Sequence, residues 1–252
     1  MLRSVALPRD RIVLIFARAP RDERRAKPLA DGAPAAAVEA LHDRLLQRTM
    51  AVARASGVAT RLVTTAETRS CGGAAELDVV LQQGATFAER LENAVADAFA
   101  AGFGDVVVVG ADTPALEPKH LRRAFGELAA ARGPCAVVGP ACDGGYYLLA
   151  LNAFCAAAFR RVPLGTARAF GATVDALGRA GFAVATLPPL RDVDDGGDVR
   201  WLCRCGGALG RAARAVRAPR VPATTRSSAA TPPPFFAAIP ARGPPVLPSI
   251  DL

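Results

Sequence analysis

Hydrophobic positions along the chain fall into two registers. Residues 11–17 (RIVLIFA) and 105–110 (DVVVVG) are unbroken apolar runs of strand length, rich in β-branched side chains, which predicts strands buried on both faces. Residues 35–56 set Ala37, Leu41, Leu45, Met50 and Val52 at helical spacing and stop at Gly57. Further helices are predicted over 86–101, entered by Thr86 and closed by Gly102, over 117–132, and over 167–180, closed by Gly181. A last one covers 197–217 with a Gly-Gly-Ala-Leu-Gly weak point inside it. Strands are expected at 59–65, 77–81, 135–139, 146–151 and 182–187, with a charged loop after the first strand and a Gly-Gly turn at 72–73. Strands alternating with helices give an α/β fold, a mostly parallel sheet with helices on both faces.

Composition changes the picture mainly at the end of the chain. From residue 218 to 252 the sequence turns to Pro, Ala, Ser and Thr, with Pro232 to Pro234 and Pro244 to Pro245, so a disordered tail is expected behind one domain over 1–217. Most of the formal charge of +8 lies from Gly206 onward, where six arginines face one acid, Asp251, whereas residues 1–205 carry 25 basic against 22 acidic residues. The body has no basic stripe interleaved with aromatics, so no nucleic-acid partner is expected. No apolar run approaches the roughly 20 residues of a membrane span, and Pro8 to Arg11 interrupt any signal-like apolar segment. A cytoplasmic protein without a membrane partner follows, and its six cysteines, which contain no C-x-x-C pair, are expected to be reduced thiols.

Ligands in open α/β sheets bind outside the carboxyl ends of the strands, so polar residues directly after apolar runs are the candidates for chemistry. Four such places occur. Residues 17–31 carry Arg18, Arg21, Arg24, Arg25 and Lys27, a cluster suited to phosphates or simply to solvent. Asp112 stands at the end of the most apolar strand, before Thr113 and Pro114, where a carboxylate can anchor a metal-nucleotide complex or close a turn. Asp143-Gly144-Gly145 allows close backbone approach to a ligand beside a carboxylate able to act as a base; a hairpin turn is equally compatible. Asp192, Asp194, Asp195 and Asp198 crowd four acids into seven residues, so at least one should face a cation or an arginine while others cap a helix. G-x-S-x-G, G-x-x-x-x-G-K-[ST] and a G-x-G-x-x-G after the first strand are all missing, which weighs against a serine hydrolase, a P-loop NTPase or a dinucleotide dehydrogenase.

Taken in order, the motifs IVLIFARAP (12–20), QGATFAERL (83–91), VVGADTPAL (108–116), VVGPACDGGYYLLAL (137–151) and DVDDGGDVRWL (192–202) resemble a known family. The chain is similar to the bacterial GT-A-fold glycosyltransferase-like proteins associated with radical-SAM or selenodomain proteins and arsenosugar biosynthesis. More distantly it is similar to the guanylyltransferases of molybdenum-cofactor and 2-phospholactate metabolism. The resemblance covers roughly residues 11–204.

It implies a nucleotide-diphospho-sugar transferase fold and a transferase that depends on Mg2+ or Mn2+ and uses a nucleotide-activated donor, in first place a nucleotide sugar, with a small-molecule acceptor. The implied catalytic residues are Asp112 and Asp143. Ala17, Arg18, Arg21, Lys27, Arg90 and Asp112 would hold the nucleotide, Gly144, Gly145 and Tyr146 the acceptor, and Asp112 with Asp194 the metal. A nucleotidyltransferase using an NTP and a phosphorylated acceptor is the alternative, and a nucleotide-binding protein without turnover a further one. The last is motivated by the first loop: the family reads Pro-Gly, two residues, then Lys-Thr-Arg-Leu, where this chain has Asp22-Glu23-Arg24-Arg25-Ala26-Lys27-Pro28-Leu29. The family's Trp-Ser/Gly-Thr is likewise Leu164-Gly165-Thr166 here.

Overall fold

The computed structural model describes residues 10–217 apart from 28, 30 and 66–76. The expected turn at 72–73, Cys71 and the tail over 218–252 lie outside the described residues. The strands are β1 (Arg11–Phe16), β2 (Ala59–Thr64), β3 (Asp78–Leu81), β4 (Asp105–Val109), β5 (Cys135–Pro140), β6 (Tyr146–Leu151) and β7 (Ala183–Thr186). They form one sheet in the order β3-β2-β1-β4-β6-β5-β7. β6 runs antiparallel to both its neighbours, and every other pairing is parallel.

The helices are α1 (Pro20–Ala26), α2 (Ala35–Arg54), α3 (Phe87–Ala100), α4 (Pro118–Ala130), α5 (Ala169–Arg179), α6 (Gly196–Arg204) and α7 (Gly207–Val216). Strand alternation assigns them to faces. Val13 and Ile15 of β1, with Val107 and Val109 of β4, pack against Leu46 and Met50 of α2 and Leu121 and Phe125 of α4. Ile12, Leu14 and Phe16, with Val106 and Val108, meet Leu91 and Val95 of α3 and Leu177 of α5 on the opposite face. Both faces of the central strands are therefore apolar, as the unbroken runs require.

Two expectations are corrected. The charged loop after β1 contains α1, because Pro20 begins it, Asp22 and Glu23 occupy the first turn and Arg24 and Arg25 the last, in the sense the helix dipole favours. The single helix over 197–217 is two, broken at Gly206, whose φ of 75° no helical residue adopts. α6 and α7 fold back on the outer face of α2, and Leu29, Val38, Leu41, Leu45, Val193 and Trp201 fill a third apolar cluster between them. That cluster anchors both the segment after α1 and the segment before α6, which carry the charged residues described next. The five described cysteines are free thiols, and no helix among the described residues is long and apolar enough to cross a membrane.

Candidate active site

A cavity of about 430 Å³ opens at the carboxyl ends of β1 and β4. Ala17 and Arg18 follow β1 into its wall, and Gly110, Ala111 and Asp112 follow β4. Because β6 runs the other way, its first residues, Tyr146 and Tyr147, arrive at the same rim behind Asp143 and Gly145. The turn that delivers them is a hairpin: Asp143 Oδ1 accepts the Gly145 N–H at 2.8 Å and the Gly144 N–H donates to the Ala141 carbonyl. The hairpin thus supplies Asp143 and Gly145 to the cavity wall.

The tract before α6 crosses this rim. Leu190 N–H donates to the Pro140 carbonyl at 3.1 Å, and Val193 N–H donates to the Asp112 carbonyl at 3.0 Å. Val193 is fully buried in the third cluster, so its extended-chain neighbours Asp192 and Asp194 turn the other way and line the cavity. The four crowded acids divide in two. Asp195 accepts from the Gly197 and Asp198 N–H groups, and Asp198 accepts from those of Asp194 and Asp195, so this pair caps α6. The backbone bonds hold the Asp195 carboxyl below its ordinary range.

Lys27 stands at the centre of the charged wall. Its Nζ donates to Asp112 Oδ2 at 2.5 Å and to Asp194 Oδ1, with Glu23 Oε1 at 3.6 Å. Burial opposes its charge, but Asp112 and Asp194 outweigh burial and push the ammonium pKa well up. The Lys27 backbone is pinned as well: its N–H donates to the Glu23 carbonyl at 2.7 Å and its own carbonyl accepts from His42 Nε2 at 3.2 Å. Burial lowers the His42 pKa, so that ring is neutral with its proton on Nε2. Arg18 is paired too, its Nη1 lying 3.1 Å from Glu23 Oε2.

Asp192 is the most perturbed carboxylate, pushed up to about 7 by burial and then by Asp194, Asp112 and Asp143. Burial also raises Asp194, against the pull of Lys27. One oxygen from each of Asp143, Asp192 and Asp194 lies within 4.8 Å of the others. Hard carboxylate oxygens at such spacing suit Mg2+ or Mn2+; Asp112 is not one of these three, but the Lys27 ammonium lodged between it and Asp194 marks a second point where two carboxylates converge on one cation.

Of the residues singled out in the sequence, Ala17, Arg18, Lys27, Asp112, Asp143, Gly145, Tyr146 and Asp194 line this cavity. Arg21, Arg90 and Gly144 are not among its lining residues. Arg21 is carried to the exposed side of α1, whereas Glu23 and Lys27, four residues apart, share the cavity side. Gly144 sits behind the turn with φ 93°, packed on the Ala167 backbone. Asp192, one of the four crowded acids but given no role of its own, also lines the cavity, as do Glu23, His42 and Gln82, which were given none. The Asp-Val-Asp alternation around Val193 carried the signal for Asp192; nothing local distinguished Gln82.

Residues 42–166 match the family described as uncharacterized protein conserved in bacteria, DUF2064. Among curated proteins no sequence matches the chain. Among solved structures, a candidate nucleotide-diphospho-sugar transferase of Desulfovibrio desulfuricans G20 is similar with a TM-score of 0.69 and 24% identity, over 82% of this chain and 94% of that one. A Mycobacterium tuberculosis H37Rv protein in complex with manganese gives a TM-score of 0.51 at 19% identity, over 77% and 97%. CMP:2-keto-3-deoxy-manno-octonic acid synthetase complexed with CTP gives 0.50 at 13%, over 76% and 96%. At these identities the likeness is one of fold. The chain has the GT-A-type α/β fold of the nucleotide-diphospho-sugar transferases.

Proposed function

We propose that the protein is a Mg2+- or Mn2+-dependent transferase that takes a nucleotide-activated donor, in first place a nucleotide sugar, and passes its activated group to a small-molecule acceptor. The observation that carries this reading is the convergence of Asp112 and Asp194 on one cation position, at the rim of a cavity whose wall also holds Arg18 and Lys27. The volume, about 430 Å³, falls in the range of small-molecule sites. The likeness to folds that hold CTP or manganese supports it.

In this reading Asp112 and Asp194 hold the metal, with Asp192 beside them. A divalent cation there supplies neutralisation of the diphosphate as charge builds on it at bond breaking. Ala17, Arg18 and Lys27 lie on the donor side. Asp143, Gly145 and Tyr146 lie on the acceptor side, where the Asp143 carboxylate can accept the proton of an attacking hydroxyl. The phenol of Tyr146 stays protonated, because burial raises its pKa, and is therefore not a base. Fold and metal site are shared by glycosyl and nucleotidyl transfer, so product chemistry separates them.

Calorimetry with UDP- and GDP-sugars and with NTPs, each with and without Mn2+, tests the reading. Metal-dependent binding of one donor is expected, followed by release of a nucleoside diphosphate. Pyrophosphate release from an NTP would move the assignment to nucleotidyl transfer, and metal-independent or absent binding to every donor would overturn it.

A further inference from the structure

The cavity described above is an unfavourable place for a diphosphate as it stands. Among its described lining residues five are acids, Glu23, Asp112, Asp143, Asp192 and Asp194, and two are cationic, Arg18 and Lys27. Both cations are committed, Arg18 to Glu23 at 3.1 Å and Lys27 to Asp112 and Asp194. A diphosphate entering alone would meet uncompensated carboxylates. Pulling Lys27 toward the phosphates would leave two more acids exposed to each other at short range.

We propose that Lys27 is a built-in counter-cation, which occupies the divalent-cation position between Asp112 and Asp194 and gives it up to a metal, its side chain then turning to the diphosphate. The inference rests on the transferase reading for its ligand, and the exchange itself concerns the chain's own residues. The two carboxylate oxygens that hold Nζ are those assigned to the metal, so ammonium and metal exclude one another by position and by charge. A lysine suits the role because it is a point charge on a flexible four-carbon stem. Its backbone cannot follow, being held at its N–H by the Glu23 carbonyl and at its carbonyl by His42. Movement is thereby confined to the side chain, which can swing between acids and phosphates while the segment stays docked through Leu29, 3% exposed in the third cluster. Metal entry and lysine release become one event, and the site gains a phosphate ligand only when it has gained a metal.

The test is Mn2+ affinity of the full chain without nucleotide, read from the electron paramagnetic resonance of free Mn2+. Lys27→Met is expected to bind Mn2+ at least about tenfold more tightly than the unmodified chain, since the competing cation is gone. In the Lys27→Met, Asp112→Asn double variant that gain is expected to vanish. Equal affinities, or no Mn2+ binding by either chain, overturn the exchange. Lys27 and Lys119 are the only lysines in the sequence, so a second readout needs no substitution. With 15N-lysine labelling, Mg2+ plus UDP should move the Lys27 side-chain resonance, while Lys119, exposed and paired with Glu117 at 3.0 Å, serves as the unmoved reference. A Lys27 signal that stays in place under saturating Mg2+ and UDP overturns the proposal. The two ideas separate cleanly: nucleotide binding without the Lys27→Met gain sinks the exchange alone, and the gain without nucleotide binding sinks the transferase reading alone.

Discussion

The backbone N–H of Val193 donates to the carbonyl of Asp112 at 3.0 Å, joining the segment before α6 to the end of β4 across 81 residues of sequence. Val193 is fully buried, and this backbone hydrogen bond helps to set Asp192 and Asp194 beside Asp112. Val193→Ala should therefore act twice. Loss of two methyl groups from the third cluster is expected to cost about 2 kcal/mol in urea unfolding, and Mn2+ affinity should fall because the acids lose their common support.

The division of the crowded acids predicts opposite phenotypes for neighbours. Asp195→Ala removes a helix cap and should cost about 1 kcal/mol of stability while leaving Mn2+ binding unchanged. Asp194→Asn should leave the thermal midpoint close to that of the parent and abolish metal-dependent nucleotide binding. Calorimetry and thermal melts on the two variants check both halves; matching phenotypes would remove the distinction.

Two glycines at positive φ should differ sharply. A Cβ on Gly144, φ 93°, would lie 2.2 Å from the Ala167 carbonyl oxygen, whereas one on Gly165, φ 77°, meets nothing within 4 Å. Gly144→Ala is expected to lose about 2 kcal/mol or more through strain and overlap together, and Gly165→Ala about 1 kcal/mol through strain alone. Denaturant midpoints compare them directly.

His120 links stability to pH. It is buried, its Nδ1 accepts the Glu117 N–H at 3.0 Å at the start of α4, and burial together with the Lys119 charge lowers its pKa below 6.5. A folded pKa below the unfolded one means the unfolded chain takes up the proton first as pH falls. The stabilisation is complete above about 6.5 and is lost progressively as pH drops through the folded value. Urea unfolding of the parent chain and His120→Gln at about pH 7.5 and about pH 5.5 should show their stability gap shrinking at the acidic pH. A gap that is constant or widens counts against the assignment.

Much of this architecture was legible from local pattern. The apolar runs of β1 and β4 specify strands buried on both faces by composition alone, and Thr86 with Glu89 writes the start of α3 into four residues. The positions of Asp112 and Asp143 after apolar runs marked the rim where both are found. α1 escapes the apolar pattern because five of its seven residues are charged and leave no apolar face to repeat, and its stability comes from termini that match the dipole.

What local pattern determined, then, is which segments are strands and helices and which polar residues stand at strand ends, since these follow from side-chain periodicity within a few neighbours. Tertiary structure alone decided the reversed direction of β6, the docking of α6 and α7 on α2, and the meeting of Lys27, Asp112 and Asp194 at one point. Those three residues are separated by 85 and 167 positions from Lys27 onward, and only packing of distant apolar faces brings their charges within bonding distance.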